Sequence, residues 1–183
     1  MKDQHTDPFS DQTPIAPEPF AIGYKPSIGD GFVYGGILFA VGFLVLGFFG
    51  KAQILASLAL IPIFFAYWHY PMIDRGQPQL AANKDGLFLE RLGFLKWDAI
   101  SGLNLKESSV RSIELRTLEI SLNAPLPDAL AKPQVFPVWK AMMARNWKVG
   151  KAEDGLPVIR VNLLPLTGNP EEIFARVRRY LPL

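Results

Sequence analysis

The sequence predicts an α+β membrane protein, in which a two-helix transmembrane hairpin precedes a small antiparallel β-barrel or bent sheet with a C-terminal capping α-helix. Three observations lead to this fold class. Residues 31–50 and 52–70 are apolar runs of about 20 residues each, the length that an α-helix needs to cross a bilayer core. From Gln79 onward, short segments alternate apolar and polar residues, as strands with one wet face do. The chain then ends in an amphipathic run that opens with helix-start residues.

Residues 1–29 are predicted to be a disordered, proline-rich, acidic tail. They contain five prolines and no apolar period, so they cannot bury enough surface to offset the entropy of ordering. Of the 17 acidic and 19 basic residues in the chain, five acidic and two basic ones lie in residues 1–30. The remainder is modestly basic, which suits a domain beside anionic lipid, whereas a nucleic-acid-binding protein would carry a dense basic stripe.

The two apolar runs are predicted to pack on each other as antiparallel helices. One straight helix through both would be about 60 Å long, twice the bilayer core, so the chain must turn back near Gly50 and Lys51. Pro62 should kink the second helix. Each helix has a face of small residues, which lets backbones approach closely. These faces are Gly31, Gly35 and Gly42 in the first helix, and Ala52, Ala56, Ala59 and Ala66 in the second. The alternative use of Gly31 and Gly35 is homodimerisation.

Residues near the ends of the runs indicate how the hairpin lies in the membrane. Tyr67, Trp68, His69 and Tyr70 are expected to form an interfacial belt, because rings with polar tips prefer that depth. His69 has no second His or Cys placed to join it in a haem or metal site. Basic residues near the spans favour a cytoplasmic location for both termini. They are Lys25, Arg75 and Lys84 on the side of the termini, against Lys51 at the tip.

Residues 72–183 are predicted to form the cytoplasmic domain. The expected strands are 79–83, 87–91, 94–97, 103–107, 111–116, 118–123 and 158–163. Residues 84–86 are expected to form a hairpin turn. Residues 124–137 contain four prolines and are predicted to be irregular. Asn169, Pro170 and Glu172 predict the capped start of the C-terminal helix.

Two runs of this domain resemble a known family. They are Lys84-Asp-Gly-Leu-Phe-Leu89 and Leu95-Lys-Trp-Asp-Ala-Ile100, with Gly86, Leu87, Trp97 and Ile100 as the core of the pattern. The pattern is similar to that of bacterial pleckstrin-homology-like (PH-like) domains, including small membrane proteins with two transmembrane helices ahead of such a domain. The similarity covers 79–123 and 158–181, with 124–157 as an insertion. The resemblance implies a scaffold or binding module and supplies no catalytic residues.

The sequence offers no pattern of residues typical of catalysis. It has no cysteine, and it shows no phosphate-binding loop, nucleophile elbow or paired carboxylates at metal-binding spacing. Neither apolar run has a charged residue in its interior, which argues against a proton or ion path. We therefore expect no catalytic residues, metal, cofactor, small-molecule substrate or nucleic acid.

One segment suggests a lipid or partner surface. Residues 138–148 are predicted to form a helix with a Trp/Met side and a Lys/Arg side, which either lies in the headgroup region or covers the open side of the barrel. A second basic group lies on the C-terminal helix. The candidate residues are Trp139, Lys140, Met143, Arg145, Trp147, Lys148 and Lys151, with Arg176, Arg178 and Arg179.

Three functions remain open at this stage. The preferred hypothesis is a non-enzymatic accessory or assembly subunit that binds a membrane protein partner or a second copy of itself. The alternative is a module that senses anionic lipid through the Trp-bearing helix and its basic residues. An unfamiliar membrane enzyme is the third, disfavoured by the lack of a plausible acid, base or nucleophile set.

Overall fold

The computed structural model describes residues 17–110, 113–152 and 155–181. It confirms the α+β class, with two long apolar helical segments and antiparallel sheets. The helices are α1 (Asp30–Phe49), α2 (Gln53–Leu58), α3 (Leu60–His69), α4 (Leu126–Ala129) and α5 (Pro170–Arg178). The strands are β1 (Phe20–Ile22), β2 (Leu80–Asn83), β3 (Gly86–Leu89), β4 (Gly93–Leu95), β5 (Ile100–Val110), β6 (Ile113–Leu122), β7 (Leu130–Pro133), β8 (Trp147–Lys151) and β9 (Pro157–Asn162).

Helices α1, α2 and α3 form an antiparallel hairpin that turns at residues 50–52. Asp30–Phe49 and Gln53–Met72 are both long and apolar enough to cross a membrane, with mean hydropathies of 2.3 and 1.4. The second segment is broken between α2 and α3 at Ala59. Pro62 explains the break, because it has no N–H to donate to the carbonyl of Leu58 one turn earlier.

The prediction that a glycine face of α1 made of Gly31, Gly35 and Gly42 contacts the other helix is wrong. A Cβ on Gly31, Gly35 or Gly42 would meet no atom within 4 Å, so these residues make no close contact with the other helix. The contact is made by Gly36 and Gly47 instead. A Cβ on Gly36 would lie 2.9 Å from the Pro62 carbonyl oxygen, and one on Gly47 would overlap Ala56. One residue turns the face by about 100°, and spacing alone does not decide between adjacent glycines.

The second helical segment contributes its alanines to this contact. Ala59 and Ala66 are buried, Ala56 faces Gly47, and Ala52 is half-buried at the turn. The small residues of the two segments therefore meet along a seam that runs from Gly36 to the tip.

The first sheet includes a strand from the segment that was expected to be a tail. Its order is β1-β2-β3-β4-β7, and β1 pairs antiparallel with β2, with Phe20 opposite Ala82 and Ile22 opposite Leu80. The prediction of disorder over 1–29 is thus wrong for β1, and residues 1–16 lie outside the described residues. The helical hairpin is an insertion between two adjacent strands of one sheet.

The second sheet has the order β5-β6-β9-β8. Its first two strands form a long hairpin, so the two short strands expected at 111–116 and 118–123 belong to one strand, β6. The region 124–137 was expected to be irregular. Instead it contains α4 and β7, which pairs with β4 at the edge of the first sheet.

The helix predicted at Val138–Lys148 is absent. A 3-10 turn covers Val138–Lys140, and Trp147 already begins β8. In an α-helix the amide of Ala144 would donate to the carbonyl of Lys140. Here the Ala144 amide donates to the Trp68 carbonyl at 2.8 Å, and the Lys140 carbonyl accepts from Arg91. Tertiary bonds have replaced the helical ones.

The apolar sides of the two open sheets supply one core. Leu80, Leu87 and Leu95 come from the first sheet, and Ile120 and Ile159 from the second. A single barrel or bent sheet was expected. Among the described residues the strands instead form two sheets that share no strand pairing. Helix α5 adds buried Ile173 and Val177. It is capped by Asn169, as predicted, because the Asn169 side chain accepts from the Glu171 amide.

The residues of the PH-like pattern lie in β3 of the first sheet and in the segment that leads from β4 to the start of β5. Leu87 and Ile100 are buried, and Gly86 has a φ of +153° where the backbone passes close to the Leu95 carbonyl. Trp97 donates from Nε1 to the Asn83 carbonyl at 2.8 Å and stacks on Tyr180 at a centroid distance of 5.0 Å. Trp97 therefore joins the sheet to the chain beyond α5.

Substitution of Ile22 tests the placement of β1. Ile22→Ala should lower the free energy of unfolding of the domain by about 2–3 kcal/mol, because it removes a buried side chain from the core. Ala21→Ser, on the exposed side of the same strand, should change it by less than about 0.5 kcal/mol. Urea unfolding of the full chain in detergent, followed by tryptophan fluorescence, measures both. Equal stability of the two variants would contradict the burial of β1.

Candidate functional surface at the base of the hairpin

The two ends of the helical hairpin meet where they join the sheets. Gly29 precedes α1, and a Cβ on it would lie 2.5 Å from the Cβ of Met72. The segment between β1 and α1 is also fixed, because the Lys25 amide donates to the Pro165 carbonyl at 2.8 Å and Tyr24 forms a bridge with Leu166. The base of the hairpin is therefore tied to the first sheet through β1 and to the segment that follows β9.

The segment Gln134–Asn146, called the base loop below, lies along the last turns of α3. The hydroxyl of Tyr67 donates to the Trp139 carbonyl, and the Ala144 amide donates to the Trp68 carbonyl. The rings of Tyr70 and Trp139 pack edge to face at 6.4 Å. The aromatic residues expected to form an interfacial belt thus contact the base loop.

His69, the fourth belt residue, is engaged within the hairpin. Its Nδ1 lies 2.9 Å from the Phe65 carbonyl oxygen, and its ring packs against Phe32 at 4.9 Å and Phe65 at 4.3 Å. No three His, Asp or Glu side chains in the described parts of the chain lie close enough together to hold a metal ion.

Arg91 holds the base loop from inside the domain. Its side chain is only 1% exposed and pairs with Glu90 at 2.7 Å. The guanidinium also donates to the carbonyls of Lys140 and Met143, both at 2.9 Å, and to that of Ala144. A buried guanidinium satisfied by one carboxylate and three carbonyls fixes the backbone that supplies them.

The side chains of the base loop divide between the core and the surface. Met143 is buried, as is Trp147 just beyond the loop. In contrast, Val135, Val138, Met142 and Trp139 are 95%, 89%, 60% and 52% exposed. Met143 is therefore enclosed within the base loop's surroundings, whereas Trp147 belongs to β8 itself, and these four other apolar side chains of the loop are exposed. No helix from this segment, which is described throughout, covers the sheets.

A cavity of about 470 Å³ opens next to the base loop on the outer face of the second sheet. Arg145, Lys148 and Arg160 give it a basic lining, and Asn146 adds an amide. Tyr24 and Met72 line it from the base of the hairpin. We call this space the basic cavity.

Tyr24 is neutral in this position. Burial raises the pKa of its hydroxyl to about 12, and the negative charge of Glu90 adds to the rise while Arg91 opposes it. The group therefore stays protonated at neutral pH and can donate a hydrogen bond.

The remaining candidate basic residues do not join the basic cavity. Lys140 pairs with Asp74 at 3.4 Å, and Lys151 is exposed at the end of β8. Arg176 packs over the ring of Phe20 at 4.3 Å, while Arg178 and Arg179 are exposed at the end of α5. The residues predicted to form one lipid or partner surface thus lie at several separate places on the domain.

Three residues of the site were missed in the sequence. Arg91 was expected in a strand, whereas it lies beyond β3 in a turn with a φ of +61°. Arg160 was hidden in the strand pattern 158–163, where its outward position was the available signal. Asn146 had no signal, since it lay within the expected helix.

Comparisons with protein-family models, with curated proteins and with solved structures give no match for this chain. We therefore derive a function from its own geometry.

Arg91→Lys tests the role of the buried guanidinium. The variant keeps the charge but loses the planar fork of donors, so we expect a loss of about 3 kcal/mol in the free energy of unfolding and faster amide exchange across residues 138–146. Arg178→Lys, at the exposed end of α5, should change neither. Hydrogen exchange with mass spectrometry on the full chain reads both effects. Unchanged exchange in the base loop would contradict the role given to Arg91.

Proposed function

We propose that this chain is a non-enzymatic accessory or assembly subunit of the bacterial inner membrane, anchored by a two-span hairpin and carrying a PH-like domain on the cytoplasmic face. The observation that carries the proposal is the open glycine face of α1, which is free to receive a helix of a membrane protein partner. A second copy of the chain is the alternative occupant.

The exposed surface of the hairpin supports its placement in a bilayer. Of the 20 residues of α1, those buried are Val33, Gly36, Ala40 and Gly47. Large apolar side chains such as Leu38, Phe48 and Phe49 are 72%, 81% and 79% exposed. A continuous apolar surface of this size is unfavourable in water and suited to lipid.

The pairing of β1 with β2 supports a single side for both ends of the hairpin. Because α1 begins and α3 ends at the same domain, two crossings return the chain to the side from which it left. Lys25, Arg75 and Lys84 lie on the side of the domain, and Lys51 lies at the tip. The excess of basic residues favours the cytoplasm for the domain.

The glycines of α1 support a partner in the membrane. Gly36 and Gly47 are used within the hairpin, whereas Gly31, Gly35 and Gly42 face open space. Gly31 and Gly35 border an apolar groove of about 430 Å³ between α1 and the second helical segment. Small residues at spacings of four and seven allow a further helix to approach closely.

The PH-like assignment rests on the motif residues and the terminal helix. Gly86 and Leu87 lie at the start of β3, Trp97 and Ile100 at the exit toward β5, and α5 closes the core. Two open sheets and a strand taken from before the hairpin would make this domain an unusual variant of that family.

An anionic-lipid module is the second candidate function, favoured by the base loop. Its exposed Trp139 packs against Tyr70 at the end of α3, where apolar side chains can enter the headgroup region. Val135 and Val138 are exposed on the same loop. The basic residues that follow, Arg145 and Lys148, would then lie near lipid phosphates.

Adjacent glycines allow a sharp test of the partner face. Gly35→Leu should leave the hairpin intact and abolish a larger complex on native gels, because the added side chain fills the open face. Gly36→Leu should disrupt the hairpin itself, since its Cβ would meet Pro62 and Ala66. Leu38→Phe, at an exposed apolar position, should do neither.

The readout is the complex extracted from native membranes in mild detergent, with its components identified by mass spectrometry. A partner lost in Gly35→Leu supports the accessory subunit. A complex of this chain alone would replace that proposal with self-assembly, and a monomer for the unmodified chain would overturn both.

A further inference from the structure

We propose that the basic cavity binds a phosphate group, supplied by the headgroup of an anionic phospholipid or by a soluble phosphate. The inference deepens the lipid-binding alternative and rests on the proposed membrane placement only for the source of the phosphate.

Cationic side chains are brought together in this cavity without enough carboxylates to neutralise them. Lys148 of β8 lies directly opposite Arg160 of β9, a pairing of like charges that destabilises an antiparallel sheet. Arg160 uses its Nε to pair with Glu119 at 2.8 Å. Within the described ranges, Lys148 and Arg145 have no carboxylate at ion-pairing distance. A bound anion would relieve this repulsion.

The guanidinium groups are held in position before any ligand binds. Arg145 stacks over the ring of buried Trp147 at 5.4 Å. Arg160 extends over Gly150, where a Cβ would lie 2.8 Å from one terminal nitrogen. Gly150 therefore provides the space in which the Arg160 fork lies, and that fork suits a phosphate.

Neutral side chains complete the lining of the cavity. Asn146 is 8% exposed and lines it beside Arg145. Tyr24 lines it from the base of the hairpin, and its raised pKa keeps it uncharged. The described lining therefore includes three cations and no carboxylate, which favours an anion such as phosphate.

The position of the cavity favours a lipid as the source. Ala144 bonds to Trp68 at the end of α3, so Arg145 and Asn146 follow directly from the level of the expected interfacial belt. Met72 lines the cavity from the base of the hairpin. A headgroup phosphate at the membrane surface would reach it without leaving the bilayer.

Native mass spectrometry of the full chain in neutral detergent tests the inference, with phosphatidylglycerol, phosphatidylcholine and inorganic phosphate as separate probes. We expect the unmodified chain to retain phosphatidylglycerol more strongly than phosphatidylcholine. Asn146→Asp, which adds a carboxylate to the cavity lining, should weaken binding by about tenfold or more, because the new negative charge repels the phosphate and competes for the cations.

Arg160→Gln is the second variant, in case Asn146→Asp fails to fold, and we expect a similar loss. Lys132→Gln, on exposed strand β7 of the first sheet, is the matched control, because it removes one positive charge away from the cavity, and it should bind normally. Gly35→Leu should also bind normally, which separates this site from the proposed partner face.

Each outcome decides the inference. Selective loss of phosphatidylglycerol in Asn146→Asp or Arg160→Gln supports a lipid-headgroup site. Binding of inorganic phosphate with the same dependence, but of neither lipid, supports a phosphate site with a soluble ligand. Equal binding by Arg160→Gln, Lys132→Gln and the unmodified chain, or no binding of any probe, would overturn it.

Discussion

The antiparallel pairing of β1 with β2 is the constraint on which the rest of this structure depends. Those strands lie on either side of the helical hairpin in the chain, yet they are adjacent in one sheet. The ends of α1 and α3 must therefore come together, and Gly29 is the position where the absence of a side chain allows Met72 to pass. Because the domain includes chain from both ends of the hairpin, the two parts are connected twice. A single flexible linker would not orient the domain in this way.

Arg91 extends this attachment to the base loop. Its buried guanidinium binds carbonyls of Lys140, Met143 and Ala144, and the loop in turn bonds to Tyr67 and Trp68 of α3. Two consequences follow from the same contacts. Exposed apolar side chains lie beside the end of the hairpin, and Arg145 and Asn146 are directed to the wall of the basic cavity. The proposed lipid contact and the proposed phosphate site would both depend on one buried charge.

Local signals predicted the parts of the fold that local interactions form. The apolar runs gave the helical hairpin, the turn at 84–86 gave the β2–β3 connection, and Asn169 gave the start of α5. Strand β1 is short and lies among prolines, so its own sequence does not predict a strand. It is held in place by pairing with β2, which lies beyond the hairpin in the chain. The periodicity of 138–148 predicted a helix, because a local pattern contains no information about distant partners. In the structure, Arg91 and Trp68 form hydrogen bonds with backbone groups that a helix would pair with each other. The cavity residues Asn146 and Arg160 come together only through the pairing of β8 with β9.

A disulfide test in native membranes addresses the central claim most directly, since the chain has no cysteine of its own. Ala21 lies opposite Ala81, and Ala81 lies opposite Phe88 on the next strand. Cysteines at 21 and 81 should form an intramolecular disulfide on mild oxidation, because neighbouring strands are about 4.8 Å apart. Cysteines at 21 and 88, about 10 Å apart across two strand spacings, should not. Linked peptides found for the first pair alone would support the pairing of β1 with β2, which joins the chain before the hairpin to the chain after it. Failure of that pair to link within one chain would contradict it.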